Sequence, residues 1–115
     1  MELKEIIEVQ KDFDKRHFGE VKLNPERLLY LTTCLAGENG EFANLVKKYY
    51  REEIQNYRVS TDQGKDFLGL MKEELADIFI YVIILSYLLD IDLEKEFFNK
   101  IEKNEERFKN KQAIK

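Results

Sequence analysis

The sequence contains few of the residues that interrupt helices or cross-link chains. Among its 115 residues there are one proline, five glycines, one cysteine and no tryptophan. This composition excludes a collagen-like chain, and 43% hydrophobic residues exclude a disordered one. The lone Cys34 cannot form an internal disulfide, so a disulfide-framework domain is excluded as well. The length and the residue mix favour a single all-α domain over residues 1–115.

The chain also lacks an excess of positive charge and a long apolar run. Its 19 Lys and Arg against 23 Asp and Glu give a net charge of -4, so no overall positive field attracts nucleic acid or anionic lipid. The most apolar stretch, residues 78–89, has 12 residues, whereas a membrane span needs about 20. The charged first residues lack the apolar core of a signal peptide. We therefore expect a cytoplasmic protein with no membrane and no nucleic-acid partner.

Four segments follow the 3.6-residue period of an α-helix. Asn24 and Pro25 are typical of a helix start. The stretch 78–89 is apolar nearly all round, and one layer of helices in so small a chain would scarcely cover it. We therefore predict a four-helix bundle-like core completed by homo-oligomerisation, as a homodimer or a homotetramer. The predicted helices span Leu3–His17, Asn24 or Pro25 to about Glu53, about Lys65–Leu89, and the residue after Asp90 or Asp92 to about Asn110.

Two acidic pairs occupy positions where apolar residues are expected. Glu38 interrupts an apolar stripe of the second helix, and Glu41 follows one turn later; Glu74 and Asp77 interrupt a stripe of the third helix. That stripe lies beside a regular apolar one, which we expect to be core. It comprises Leu68, Met71, Leu75, Ile78, Val82, Leu85 and Leu89.

Antiparallel packing of these two helices would bring the four carboxylates into one partly buried space. Two bare charges about 4 Å apart repel by about 4 kcal/mol at an effective dielectric of 20, so such a cluster favours protonation or a divalent cation. Ligation by oxygen alone suits Mg²⁺ or Mn²⁺. The alternative is a pair of solvated helix faces, which is disfavoured because both pairs interrupt apolar stripes.

Two further features of the helices bear on a ligand. Gly37 and Gly40 lie within the second helix, where they either admit a ligand or another backbone or mark a kink. Lys100, Asn104 and Arg107 share a face of the fourth helix. Cations beside a carboxylate cluster suit a phosphorylated ligand, and the alternative is an ordinary helix rich in alternating charges.

Several familiar catalytic patterns are absent from the sequence. The single histidine, His17, lies outside both acidic pairs, which excludes the ExxH ligands of ferritin-like di-iron sites. Neither a P-loop, a GxGxxG fingerprint, a Cys/His zinc pattern nor a GxSxG elbow occurs. The acidic pairs are the remaining candidate site.

Three segments resemble the all-α nucleoside triphosphate pyrophosphohydrolases of the MazG-like and dCTP pyrophosphatase type. They are LAGENGEFANLVKKYYR, EELADIFIYVIILS and KIEKNEERF, at residues 35–51, 73–86 and 100–108. The resemblance implies hydrolysis of a nucleoside triphosphate between the α and β phosphates, in housekeeping of the nucleotide pool. It implies Mg²⁺ ligands at Glu38, Glu41, Glu74 and Asp77, and substrate contacts at Tyr81, Lys100, Asn104 and Arg107.

The resemblance leaves some roles open. Many MazG-type sequences carry an acidic residue where this chain has Gly37, so the number of metal ions is not fixed. Glu38 and Glu41 are the candidates to accept the proton of the attacking water. Phe13, His17 and Phe18 are candidates to hold the base. The alternatives are a pyrophosphohydrolase acting on phosphoribosyl-ATP and a non-catalytic helical dimerisation or regulatory module.

Overall fold

The computed structural model describes residues 1–20, 22–53 and 66–110, and within them all regular structure is helical. The all-α prediction is confirmed, and the predicted ends agree within one residue wherever they are described. The predicted start of the third helix at Lys65, the connection 55–64 and the tail 111–115 lie outside the described residues. The helices are α1 (Leu3–Phe18), α2 (Pro25–Glu53), α3 (Phe67–Leu88) and α4 (Leu93–Asn110).

Three of the helices begin at a polar residue that caps them. The side chains of Asn24, Asp66 and Asp92 each accept a hydrogen bond from the backbone N–H three residues later, at 2.7, 3.0 and 3.1 Å. Each bond satisfies one of the N–H groups that the first helical turn leaves unpaired. Asp92, rather than Asp90, therefore starts α4.

Residues with positive φ end the first and third helices. Gly19 follows α1 with a φ of 78°, and its N–H donates to the carbonyl of Lys15. Asp90 follows α3 with a φ of 55°, a conformation that Asp tolerates better than most residues. The Ile91 N–H then donates to the Ser86 carbonyl at 2.8 Å, so the turn into α4 is closed by backbone hydrogen bonds.

Helix α3 is the centre of the chain, since both α1 and α2 pack against it. Cys34 of α2 meets Tyr81 of α3, and Glu41 meets Glu74. Residue numbers rise along α2 as they fall along α3, so the two helices are antiparallel, as predicted. Among the described residues, α4 is not packed along its length against another helix. No described helix combines the length and apolarity that a membrane span requires.

The buried core of the chain differs from the predicted stripe of α3. Phe67 and Ile83 are buried, whereas Leu68, Leu75 and Leu89 of the predicted stripe are 58%, 56% and 39% exposed. Within the single chain, the stripe prediction is therefore wrong at these three positions. The periodicity placed a wide apolar surface on α3 correctly, but α1 and α2 cover only part of it.

Candidate functional site

The antiparallel pair α2 and α3 brings three of the four predicted carboxylates together. Glu38, Glu41 and Glu74 each offer one oxygen, and these oxygens all lie within 4.8 Å of one another. Glu38 and Glu41 share a face of α2 because they are one turn apart, and Glu74 faces them from α3. We call these three residues the carboxylate cluster.

The carboxylate cluster carries more negative charge than its surroundings neutralise. A hydrogen bond with Glu38, then burial, then the hydrogen bond with Glu41 and repulsion from both neighbours raise the pKa of Glu74 from 4.5 to about 7. Its Oε2 atom is shielded from solvent and has no hydrogen-bond partner among the described residues. A shielded oxygen of this kind is satisfied by a proton, an ordered water or a cation.

The donor set of the cluster fits a hard divalent cation. All three groups are carboxylates, and oxygen ligands are those that Mg²⁺ and Mn²⁺ take in proteins. The Oε2 atom of Glu74 has no hydrogen-bond partner among the described residues and is therefore available as a ligand atom. The residues therefore fit the predicted metal.

Asp77, the fourth predicted ligand, lies one turn beyond Glu74 but outside the carboxylate cluster. It is half-buried and lines a cavity together with Glu38. Its place as a metal ligand stays a prediction, and its position on the cavity wall puts it beside any ligand that the cavity holds.

The cavity has a volume of about 320 Å³ and is bounded by α1, α2 and α3. Acidic groups, Glu38 and Asp77, stand at one part of its wall, while the middle is aromatic and aliphatic. This combination of a mostly apolar wall with a few polar groups is typical of small-molecule sites. The apolar and aromatic lining consists of Phe13, Phe18, Tyr30, Leu31, Ile80, Tyr81, Ile84, Tyr87 and Leu88.

Tyr81, a predicted substrate contact, lines this cavity. Burial, followed by a hydrogen bond with Cys34, raises the pKa of its hydroxyl from 10.0 to about 12. The phenol therefore stays protonated at neutral pH. It lies one turn beyond Asp77, so it stands next to the acidic part of the wall.

Two of the three candidate base-holding residues line the cavity. Phe13 and Phe18 belong to its wall, with ring centroids 6.5 Å apart. His17 is not among the lining residues; its ring packs against Phe13 at 4.5 Å. Among the described residues, the aromatic surface available to a flat ligand is thus provided by Phe13, Phe18 and the tyrosines.

The predicted phosphate contacts on α4 lie elsewhere in the chain. Lys100 and Arg107 are exposed and Asn104 is half-buried, and none of them is among the residues that line the cavity. The Arg107 guanidinium instead lies over the ring of Phe108, at 5.1 Å. The single chain does not bring these residues to the carboxylate cluster, and their contact with substrate stays a prediction.

Gly37 and Gly40 lie in an unbroken stretch of α2. A Cβ atom added at either position would have no neighbour within 4 Å. The two glycines therefore face open space beside the carboxylate cluster, and no backbone of the described chain approaches them. The helix runs through both positions without a break.

One polar group at the cavity was missed by the sequence reasoning. Asp14 of α1 is buried and is held by Gln10 and Tyr87. Leu3, Ile7, Gln10 and Asp14 follow each other at helical spacing along the inward side of α1. This spacing was a usable signal, because it places a carboxylate on the same stripe as apolar residues.

A family model and a phage protein both match this chain. The family model described as MazG nucleotide pyrophosphohydrolase domain matches residues 26–111. A protein of Mycobacterium phage L5, called Gene 37 protein, is 36% identical over 85 residues, which is 71% of this chain and 69% of the phage protein. Its name states no activity. No solved structure matches the chain.

Proposed function

The chain belongs to the MazG nucleotide pyrophosphohydrolase family, and we propose that it hydrolyses nucleoside triphosphates to monophosphate and pyrophosphate with Mg²⁺. The observation that carries the proposal is the carboxylate cluster with its unpartnered Glu74 oxygen, next to a cavity lined by aromatic and aliphatic side chains and a few polar groups. Mn²⁺ is the expected substitute cation. Removal of excess or modified triphosphates from the nucleotide pool is the role that this reaction would serve.

The cluster residues would have two roles, which are to hold the cation and to accept a proton. Glu38, Glu41 and Glu74 would hold the cation, and Asp77 would complete the ligand set from the adjoining wall. When bound, Mg²⁺ would neutralise phosphate charge and lower the pKa of water. Glu38 or Glu41 would accept the proton of the water that attacks the α phosphorus. The bond from that phosphorus to the bridging oxygen breaks, and pyrophosphate leaves.

The remaining predicted residues would hold the substrate. Tyr81 would donate its hydroxyl hydrogen bond near the phosphates, since it stays protonated and stands one turn from Asp77. Lys100, Asn104 and Arg107 would contact the outer phosphates. Because these three do not line the cavity of the single chain, this part of the proposal requires α4 of a second copy or a movement of α4.

A panel of triphosphates tests the proposed reaction. The purified protein is incubated with each standard ribo- and deoxyribonucleoside triphosphate, several modified ones and phosphoribosyl-ATP, in Mg²⁺ or in EDTA. Monophosphate and pyrophosphate in Mg²⁺ alone are the expected products. Hydrolysis of phosphoribosyl-ATP alone would establish the alternative reaction, and no product from any nucleotide would support the non-catalytic module.

A variant pair ties the activity to the carboxylate cluster. Glu38→Gln removes one charge from the cluster, whereas Glu73→Gln removes one from the exposed neighbour of Glu74. We expect Glu38→Gln to lower the rate by about 100-fold or more, and Glu73→Gln to leave it within a factor of about two. Equal rates in the two variants would remove the cluster from the mechanism.

A further inference from the structure

A second polar group of the cavity lies on α1, away from the carboxylate cluster. Asp14 is only 7% exposed, yet it is part of the cavity wall. The Tyr87 hydroxyl donates to its Oδ2 atom at 2.6 Å, and the Gln10 Nε2 atom donates to its Oδ1 atom at 2.8 Å. Each carboxylate oxygen has accepted one hydrogen bond and retains capacity for another.

No cation of the described residues forms a direct ion pair with the buried carboxylate, although Arg27 is near enough to act on its partner Tyr87. No ion pair found among the described residues includes Asp14. A buried carboxylate held only by neutral donors costs stability compared with an apolar side chain of similar size. Burial and the bond to Asp14 raise the pKa of Tyr87, so its hydroxyl remains a donor and is engaged by Asp14. Asp14 therefore offers hydrogen-bond acceptors to the cavity.

The order of polar and apolar residues along the cavity wall matches the order of polar and apolar groups along a nucleotide. Asp77 and Tyr87 are ten residues apart on α3, which is about 15 Å along the helix. Acidic groups stand at one end, the apolar Ile80 and Ile84 follow, and Asp14 with Tyr87 forms the other polar end. A nucleotide likewise has phosphates at one end, a sugar and a flat ring between, and a hydrogen-bonding base edge at the other.

We propose that Asp14, positioned by Gln10 and Tyr87, binds the exocyclic amino group of a nucleobase and thereby favours amino-bearing bases over uracil and thymine. This proposal rests on the proposed function, which supplies the nucleotide as ligand. An amino group donates to the carboxylate, whereas a base carbonyl at the same place brings two acceptors together and leaves both unpaired. Arg27 also lines the cavity and supplies N–H donors for a ring or carbonyl acceptor of the base.

The test compares two nucleosides that differ at one position of the base. 2′-Deoxycytidine and 2′-deoxyuridine are titrated into the metal-free protein and followed by NMR, because neither probe needs a cation or hydrolysis. We expect deoxycytidine to bind roughly 10- to 150-fold more tightly, as a hydrogen bond to a charged group implies. In parallel, kcat/KM is measured for dCTP and dUTP in Mg²⁺.

Two Asp→Asn variants on α1 test whether Asp14 causes the preference for deoxycytidine over deoxyuridine. Asp14→Asn gives the amide a donor for the uracil carbonyl, and we expect the ratio of the two dissociation constants to fall by about tenfold or more. Asp12→Asn is the matched control, since Asp12 is exposed, pairs with Arg16 at 2.8 Å and does not line this cavity. The ratio should stay at its wild-type value in that control.

The outcomes separate this proposal from the proposed function. Equal binding of the two nucleosides, no binding of either, or an unchanged ratio in folded Asp14→Asn overturns the base assignment, whatever the hydrolysis shows. Preferred binding of deoxycytidine without hydrolysis of any triphosphate supports the base site and overturns the enzyme. Where Asp14→Asn does not fold, the wild-type comparison still decides.

Discussion

Individual carboxyl groups in this chain differ in what surrounds them, and the differences decide their roles. Glu74 has a buried oxygen without a partner, Asp14 has a donor on each oxygen, and Glu73 is exposed. Sequence spacing identified Glu74 because it interrupts an apolar stripe. The same spacing also places Asp14 on the stripe of Leu3 and Ile7, but the signal is weaker there because the polar Gln10 lies between them.

The role of Asp77 can be separated from that of a structural carboxylate. Asp77→Ala removes a charge from the crowded acidic wall, so we expect the melting temperature of the metal-free protein to stay equal or rise while hydrolysis is lost. Glu73→Ala, one residue from Glu74 but exposed, is the control and should keep its activity. Pyrophosphate release and thermal unfolding are measured on both variants. Full activity of Asp77→Ala would exclude it from the site.

The raised pKa of Glu74 predicts how stability changes with pH in the absence of metal. The group titrates near 4.5 in the unfolded chain and at about 7 in the folded one, so between these values the folded state binds more protons. Its contribution to the free energy of unfolding therefore falls as the pH rises from about 4.5 to 7 and is constant above that. Thermal unfolding in EDTA from pH 5 to 8 measures this slope.

Two controls identify the source of that slope. Glu74→Gln cannot titrate at this position, so its melting temperature should depend less on pH than that of the wild type. Millimolar Mg²⁺ should raise the melting temperature most above pH 7, since a cation that binds the folded state stabilises it and competes with the proton. Identical slopes in wild type and Glu74→Gln would show that the cluster does not hold the proton.

At the scale of the helix, the sequence predicted the four helices correctly but did not predict where α4 lies relative to the others. Caps and periodicity predicted the starts of α2 and α4, because Asn24 and Asp92 act within three residues of themselves. The pairing of α2 with α3 followed from the two acidic interruptions. The periodicity of α4 shows which of its faces is apolar but not what that face contacts, so the position of Lys100 relative to the cluster was not predictable.

Helix α4 provides a prediction that does not depend on its position in the single chain. If Lys100 contacts the phosphates, Lys100→Ala should lower catalytic efficiency by roughly 10- to 150-fold and leave Mg²⁺ affinity unchanged. Lys109 is the matched control, since nine residues at 100° each place it on the opposite side of the helix. Equal kinetics of Lys100→Ala and Lys109→Ala would show that α4 does not hold the substrate.

On the scale of the whole molecule, the single chain is too open for its apolar content. Its radius of gyration is 18.7 Å, whereas about 13 Å is typical of a compact domain of this length. Leu68 and Leu75 on α3 and Phe97 and Phe108 on α4 are each more than half exposed. Exposed apolar surface on two helices of one small chain is typical of an interaction site.

A second copy of the chain is the predicted occupant of this surface. The exposed α3 face needs an apolar cover, and α4 carries an apolar stripe of Leu93, Phe97, Ile101 and Phe108 that no described helix covers along its length. In a symmetric dimer each copy contributes one exposed α3 face and one apolar α4 stripe, so the α4 stripe of each copy can cover the α3 face of the other.

Light scattering on the wild type and on two variants of α4 tests this assembly. We expect the wild type to have two or four times the chain mass of 13.8 kDa. Phe97→Asp places a charge on the apolar stripe and should reduce the mass to that of one chain, with helical circular dichroism retained, because Phe97 is 57% exposed within the chain. Asn99→Asp adds the same charge on the far side of α4 and should leave the mass unchanged. If Phe97→Asp also loses hydrolysis while Asn99→Asp keeps it, α4 completes the site across copies. A wild type with the mass of a single chain at micromolar concentration would exclude that arrangement. A movement of α4 within one chain would then be the way in which its residues reach the cavity.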